Sequence, residues 1–164
     1  MIVVSDASPT LNLSAVGQLK LLKELYREVV IPPAVATELR ANGVKYRSEK
    51  WLVVMTPASG ELVDQLSRRL DPGEAEAITV AVELHADRIL IDERRARRVA
   101  AEFNLQAVGL LGVLVEAKQS GYLQECKSVL DEMIQVAGFW IGERLYTRFL
   151  EEVGETDESF RTRG

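Results

Sequence analysis

Five short apolar runs, each set off by a stretch of helical periodicity, constrain this chain more than any other feature. They fall at residues 2–4, 29–31, 51–55, 88–91 and 106–108. Each is too short for a helix and rich in Val, Ile or Leu, so each predicts a strand. Helix signals fill the intervals. Ser8-Pro9 predicts a start with Ser8 as N-cap and Pro9 at the first helical position. Leu19, Leu22 and Leu25 recur at helical spacing, and Pro32-Pro33 opens a helix with Val35 and Leu39 on one face. Further helices are predicted over 62–70, from Asp71 to about His85, over an Arg- and Ala-rich segment closed near Asn104, and over 113–118. Strands alternating with helices imply parallel βαβ units, hence an α/β fold with helices on both faces of an open sheet. Beyond Gly121, two more helical patterns lie at about 129–136 and 143–153. The expectation is one domain over residues 1–155 that includes these C-terminal helices, with 156–164 as a flexible tail.

The chain of 164 residues has the length to bury a sizeable core. Its net charge of −5 argues against binding nucleic acid by bulk positive charge, but not against a metal-assisted site that meets phosphates. A single cysteine, Cys126, excludes an internal disulfide framework and fits a reducing cytoplasm. With one histidine, His85, neither a multi-His zinc site nor a His pair is available. The N-terminus shows no basic region followed by a cleavage site, and no apolar run approaches the roughly 18–20 residues of a membrane span, so neither a signal peptide nor a membrane partner is expected.

Two of the predicted strands run straight into an aspartate, Asp6 after the first and Asp92 after the fourth. In open parallel α/β sheets ligands bind beyond the carboxyl ends of the strands, where strand order reverses. Both aspartates therefore have a functional reading, at a shared crevice, and a structural one. Asp6 would hydrogen-bond the turn that follows, and Asp92 would cap a helix beginning at Glu93. Glu38 stands one residue before Leu39 of the apolar face, at the boundary of that face. Asp71-x-x-Glu74, with Pro72 between, matches a capping box in which Glu74 reaches back to the cap. Glu76 lies two residues on, roughly 200° around the helix, and cannot share Glu74's direction. Convergent acids would repel one another and raise one another's pKa, and Mg²⁺ or Mn²⁺ would relieve that repulsion through hard oxygen ligands. Such chemistry requires neither His nor Cys.

The ordered segments VSDASP, IPPAVATELR, LDPGEAEAI, ILIDERRAR and VGLLGVLVEAKQSGYL resemble the PIN-domain family, over about residues 2–123. The closest likeness is to the branch of nucleic-acid-binding proteins related to VapC-type toxins. The resemblance implies a three-layer α/β/α domain with a parallel sheet in the order 3-2-1-4-5, and metal-dependent endoribonuclease chemistry acting on RNA. By position it makes Asp6, Glu38, Glu74 and Asp92 the catalytic, metal-binding acids, with Glu76 as the alternative to Glu74. Ser8 matches a small hydroxyl residue that orients the first acid or a water, and it also stands as the helix cap. Arg97 matches a recurrent D-E-x-x-A-R pattern and is the candidate among the four arginines of its helix for contacting nucleic acid or anchoring the acids. Thr10 and Leu110 depart from the family, replacing an apolar and a small polar residue, so substrate contacts near Leu110 are in question.

His85 is expected at a helix end or surface, and Cys126 in packing. The aromatic-rich GFWIGERLYTRFLEEV is expected to pack back on the domain, with a homodimer or antitoxin surface as the functional alternative. A non-catalytic PIN-fold module binding RNA or protein is the second reading of the whole chain. Phosphoaspartyl chemistry fits less well: VGLLG lacks the lysine a receiver domain carries after its last strand, and Ser8 stands where a haloacid-dehalogenase-like phosphatase has its second aspartate.

Overall fold

A computed structural model describes residues 1–156. The proposed tail lies outside the described residues save for Thr156. Five short strands form one parallel sheet: β1 (Val3–Ser5), β2 (Val29–Ile31), β3 (Leu52–Val54), β4 (Arg88–Leu90) and β5 (Ala107–Val108). Their spatial order is β3-β2-β1-β4-β5, as the family resemblance implies. β1 lies between β2 and β4, with Val4 opposite Val30 on one side and Ile89 on the other. The chain thus builds outward from β1 in one direction and then in the other, which creates the switch point between β1 and β4.

Alternation along the strands explains the layers. Val3, Val29, Ile31, Leu52 and Leu90 face one apolar cluster, whereas Val4, Val30, Ile89 and Ile91 face a second. The first cluster is completed by α1 (Ala7–Ala15), α2 (Lys20–Tyr26), α3 (Pro33–Ala41) and α7 (Leu110–Gln119), together with α8 (Cys126–Val136) and α9 (Glu143–Glu152). The second is completed by α4 (Gly60–Leu66), α5 (Pro72–Glu83) and α6 (Arg94–Glu102). β1 and β2 are buried throughout, and a strand covered on both faces needs no polar alternation, which is why they read as unbroken apolar runs. No helix among the described residues is long and apolar enough to cross a membrane.

Local signals place most helix ends. Asp71 accepts the Glu74 N–H at 2.8 Å while Glu74 accepts the Asp71 N–H at 3.1 Å, so the capping box forms. Asn104 and His85 adopt positive φ of 59° and 49° just past α6 and α5, and His85 is exposed as expected. Cys126 is fully buried.

Four boundaries beside the carboxyl ends of β1 and β4 differ from the sequence expectation, and away from them α4 starts two residues early and ends four residues early. β1 ends on Ser5, leaving Ile2 41% exposed. α1 begins at Ala7, so the N-cap position belongs to Asp6, and Ser8 and Pro9 lie inside the first turn. A proline is tolerated there because first-turn N–H groups have no helical partner. α6 begins at Arg94 with Glu93 in its cap position, so Asp92 does not cap it. α7 begins at Leu110, three residues before the expected Val113, because the Asp92 carboxylate accepts the Leu110 N–H.

Candidate metal centre

Parallel pairing of Ser5 with Leu90 brings the ends of β1 and β4 together, and the Asp6 N–H donates to the Leu90 carbonyl at 2.9 Å. Asp6 and Asp92 therefore leave the sheet side by side at the switch point. They open onto a cleft of about 660 Å³ that Ser8, Glu38, Asp71, Glu93 and Arg97 also line.

Asp6 holds the N-cap position of α1, yet its carboxylate makes no capping hydrogen bond. Its side chain is committed to the cleft instead. Only 8% of the residue is exposed, and burial pushes its carboxyl up to about 7. The Ala7 N–H offsets part of that shift, while the charges of Asp71, Glu38 and Asp92 add to it. Room for this carboxylate comes from Gly73: a Cβ there would stand 3.2 Å from Asp6 Oδ1 and 3.6 Å from Asp71 Oδ1.

Asp92 is held from two sides. Oδ1 accepts the Leu110 N–H at 2.6 Å and Oδ2 accepts the Ser8 hydroxyl at 3.2 Å. Burial raises its pKa, whereas Leu110, Ser8 and the nearby Arg97 charge act in the opposite direction. The Ser8 hydroxyl is itself positioned by Asn12, whose Nδ2 donates to Ser8 Oγ at 3.2 Å and to the Ser8 carbonyl at 2.9 Å. Gly109 leaves space for the pair beside it, since a Cβ would lie 3.1 Å from Arg97 Nη1 and 3.2 Å from Asp92 Oδ1. Leu110, the departure from the family pattern, thus contributes a backbone donor to the site while its side chain is fully buried.

The remaining acids divide. Glu38, on α3, is exposed and faces the cleft. Glu74 is buried at 3% exposure and sits behind the lining, bound back to the Asp71 N–H. Its carboxylate, with those of Asp71 and Glu93, forms a trio whose oxygens lie within 4.8 Å of one another. Burial raises the Glu74 pKa, the Asp71 N–H opposes this, and the charges of Asp71 and Glu93 reinforce it. Asp71 is therefore the link between Glu74 and the Asp6 cluster. Glu76 turns elsewhere: its Oε2 accepts the Ala34 N–H at 2.7 Å, closing the N-terminus of α3. Arg97 lines the cleft beside Asp92, while Arg94, Arg95 and Arg98 are exposed without lining it.

Asp71 and Glu93 are the acids that sequence reasoning passes over. Asp71 is hidden by its cap role, which occupies Oδ1 with the Glu74 N–H. The available signal is Gly73, which lets α5 begin against Asp6. Glu93 is signalled by its adjacency to Asp92 and as the glutamate of the D-E-x-x-A-R pattern.

The donor set suits a hard divalent cation. It consists of carboxylate oxygens only, and its most buried cleft member carries a charge that three neighbouring acids make costly.

Comparison with known proteins identifies the family and the fold. The family DUF3368, described as PIN domain, matches residues 2–155. A solved PilT N-terminus domain protein from the hyperthermophilic archaeon Sulfolobus solfataricus P2 superposes with a TM-score of 0.52 at 20% identity, covering 71% of this chain and 93% of that one. No curated protein sequence matches significantly. The fold is the three-layer α/β/α PIN arrangement, its acidic cluster is compatible with a metal-dependent nuclease, and the chain belongs to the PIN-domain family.

Proposed function

We propose that this protein is a Mg²⁺- or Mn²⁺-dependent endoribonuclease that hydrolyses RNA phosphodiester bonds. The observation that carries the reading is the meeting of Asp6, Glu38, Asp71 and Asp92 at the β1–β4 switch point, where burial and mutual repulsion hold Asp6 at a pKa of about 7. Asp6, Glu38 and Asp92 are the catalytic ligand set in this reading, with Asp71 beside them and Glu74 in support through Asp71. When bound, a divalent cation lowers the pKa of water and offsets the charge that builds on a phosphodiester under attack. The chain's own residues do the positioning. Ser8 and the Leu110 N–H fix both oxygens of Asp92, and Asn12 fixes Ser8. Arg97 places a positive charge at the edge of the cleft, where a phosphate enters.

The reading extends to three further points. Residues 1–155 act as one domain, since α8 and α9 bury Leu130, Met133 and Phe149 in the cluster that holds Val3 and Leu90. The likeness to VapC-type proteins supports a toxin paired with an antitoxin protein, working in the cytoplasm. A homodimer belongs to the same reading, and light scattering on the purified protein tests it.

Purified protein is expected to cleave single-stranded RNA with Mn²⁺, to lose that activity in EDTA, and to lose it in Asp6→Asn. Equal activity in Asp6→Asn overturns the assignment. RNA binding with neither Mn²⁺ binding nor cleavage would instead assign a non-catalytic binding module.

A further inference from the structure

A second depression adjoins the cleft, and its chemistry differs from that of the acids. It encloses about 580 Å³ and shares Ser8 and Glu38 with the cleft, so the two spaces meet along those residues. α1 lines it with Leu11, Asn12, Ser14 and Ala15, while Asn42 and Val44 line it from just past the end of α3. Among the described residues that line it, Glu38 alone carries a charge.

The two asparagines are held alike. Asn12 Nδ2 donates to the Ser8 carbonyl at 2.9 Å and Asn42 Nδ2 to the Glu38 carbonyl at 2.8 Å, each four residues back. A carbonyl only accepts, so these bonds fix which end of each amide is the nitrogen. Asn12 gives its second amide proton to Ser8 Oγ. Both Oδ1 atoms are left as acceptors that take no hydrogen bond from a described residue. Leu11 and Val44, each half-buried, add apolar surface beside them.

We propose that this depression is a base subsite, which takes the nucleobase next to the scissile phosphate and favours one with an exocyclic amino group over uracil. The proposal rests on the nuclease reading and extends it from the cleaved bond to the base beside it. Connectivity supplies the occupant. A phosphodiester held at Asp6 and Asp92 carries a nucleoside on either side, so each base lies within one sugar of the acids. Ser8 both donates to Asp92 at 3.2 Å and lines the depression, which puts the depression at that reach. A further phosphate is excluded, because the depression meets it with a carboxylate and no cation. A base is flat and neutral, with apolar faces for Leu11 and Val44 and a polar edge for the amides. Adenine, cytosine and guanine each bring an amino group that donates to acceptors such as the two Oδ1 atoms. Uracil has a single N–H set between two carbonyls, and those carbonyls face the Oδ1 atoms as acceptor against acceptor.

Asn42 is the residue to change, because Asn12 also holds Ser8 in the metal centre. Its φ of −98° lets leucine replace it without backbone strain. RNA of random sequence, cut in Mn²⁺ and sequenced at its new ends, should show uracil disfavoured about 2- to 12-fold at one position adjoining the cut, the factor that one hydrogen bond gives. Asn42→Leu should abolish that preference while Mn²⁺ affinity stays at the wild-type value. Ala15→Trp, at an exposed position, should fill the depression and raise KM for RNA while Mn²⁺ still binds. Independently of cleavage, calorimetry on the Mn²⁺-loaded protein should find adenosine monophosphate bound more tightly than uridine monophosphate, and the two bound equally in Asn42→Leu. Cleavage by the wild type with no base preference beside the cut, or with one that survives Asn42→Leu, overturns the subsite and leaves the nuclease reading standing. Mn²⁺ binding with neither nucleotide binding nor cleavage ends the nuclease reading and the subsite with it. A changed mass in solution for Ala15→Trp, with base preference intact, also overturns the subsite and makes the depression a protein contact.

Discussion

Glu76 Oε2 accepts the backbone N–H of Ala34 at 2.7 Å, a bond across 42 residues that ties α5 to the first turn of α3. Glu38 projects into the cleft from that same α3. Glu76 is thus a structural acid that steadies the helix carrying a candidate ligand. Glu76→Ala should cost about 1–2 kcal/mol, the range for loss of a helix-terminal acceptor. Thermal melting should register this loss, while calorimetry should find Mn²⁺ still bound. A variant that melts normally but no longer binds Mn²⁺ would make Glu76 a ligand after all.

Gly73 lies at the second position of α5 with no positive φ, so alanine there meets no backbone strain and gains helix propensity. What it meets is Asp6 Oδ1 at 3.2 Å and Asp71 Oδ1 at 3.6 Å. Gly73→Ala should therefore keep or raise the melting temperature while weakening Mn²⁺ binding and cleavage. Stability and affinity both unchanged would show that the carboxylates shift aside freely.

The sequence pattern resolves the sheet well because parallel strands are buried on both faces and bounded by sharp helix starts. Val3 to Ser5 and Arg88 to Leu90 differ from the expected runs by one residue at most at either end. Asp6 and Asp92 are likewise legible as acids at strand ends and Glu38 through the family resemblance, and all three line one cleft. What local pattern cannot give is competition between distant partners. Asp92 was open to capping the helix beside it, yet it bonds Leu110, 18 residues away, because β5 returns next to β4 and starts α7 there. Ser8 reads as a cap for the same reason of proximity, whereas its hydroxyl reaches across 84 residues to Asp92. Asp71 satisfies a complete local motif, so nothing in the sequence calls for a second role, although its carboxylate also faces Asp6.

The Asp6 carboxyl fixes a sign for the pH dependence of the metal-free protein. Its pKa is about 7 in the folded chain against 3.8 as an ordinary aspartate. Between those values the folded protein keeps a proton that the unfolded chain releases, so stability falls as pH rises, by about 1.4 kcal/mol per pH unit for one such group. Glu74 and Asp92 shift in the same direction, each chiefly through burial. In EDTA the protein should melt higher at pH 5 than at pH 8, and Mn²⁺ should narrow the difference by taking the proton's place. Asp6→Asn should melt above wild type at pH 8 in EDTA, because it removes the buried charge and keeps the shape. A wild-type protein that melts higher at pH 8 in EDTA would contradict the burial of this charge.

Glu155 closes the other end of the molecule. Its Oε2 accepts Lys118 Nζ at 2.7 Å and the Cys126 N–H at 2.8 Å, and its Oε1 accepts the Lys127 N–H at 2.9 Å. One carboxylate thus caps the first turn of α8 and ties it to α7, just after α9 ends. The same arrangement silences the lone thiol: burial, followed by the Glu155 charge, pushes Cys126 up to about 12, far from thiolate formation at neutral pH. Native protein should resist alkylation by iodoacetamide and react only on unfolding. Glu155→Ala should lower stability by about 1–2 kcal/mol through the lost cap, and it should speed alkylation by letting α8 open more often. Mass spectrometry of alkylated Cys126 against time follows both effects. Alkylation of the wild-type native protein at the rate of a free thiol would show that α7, α8 and α9 do not hold the cysteine closed.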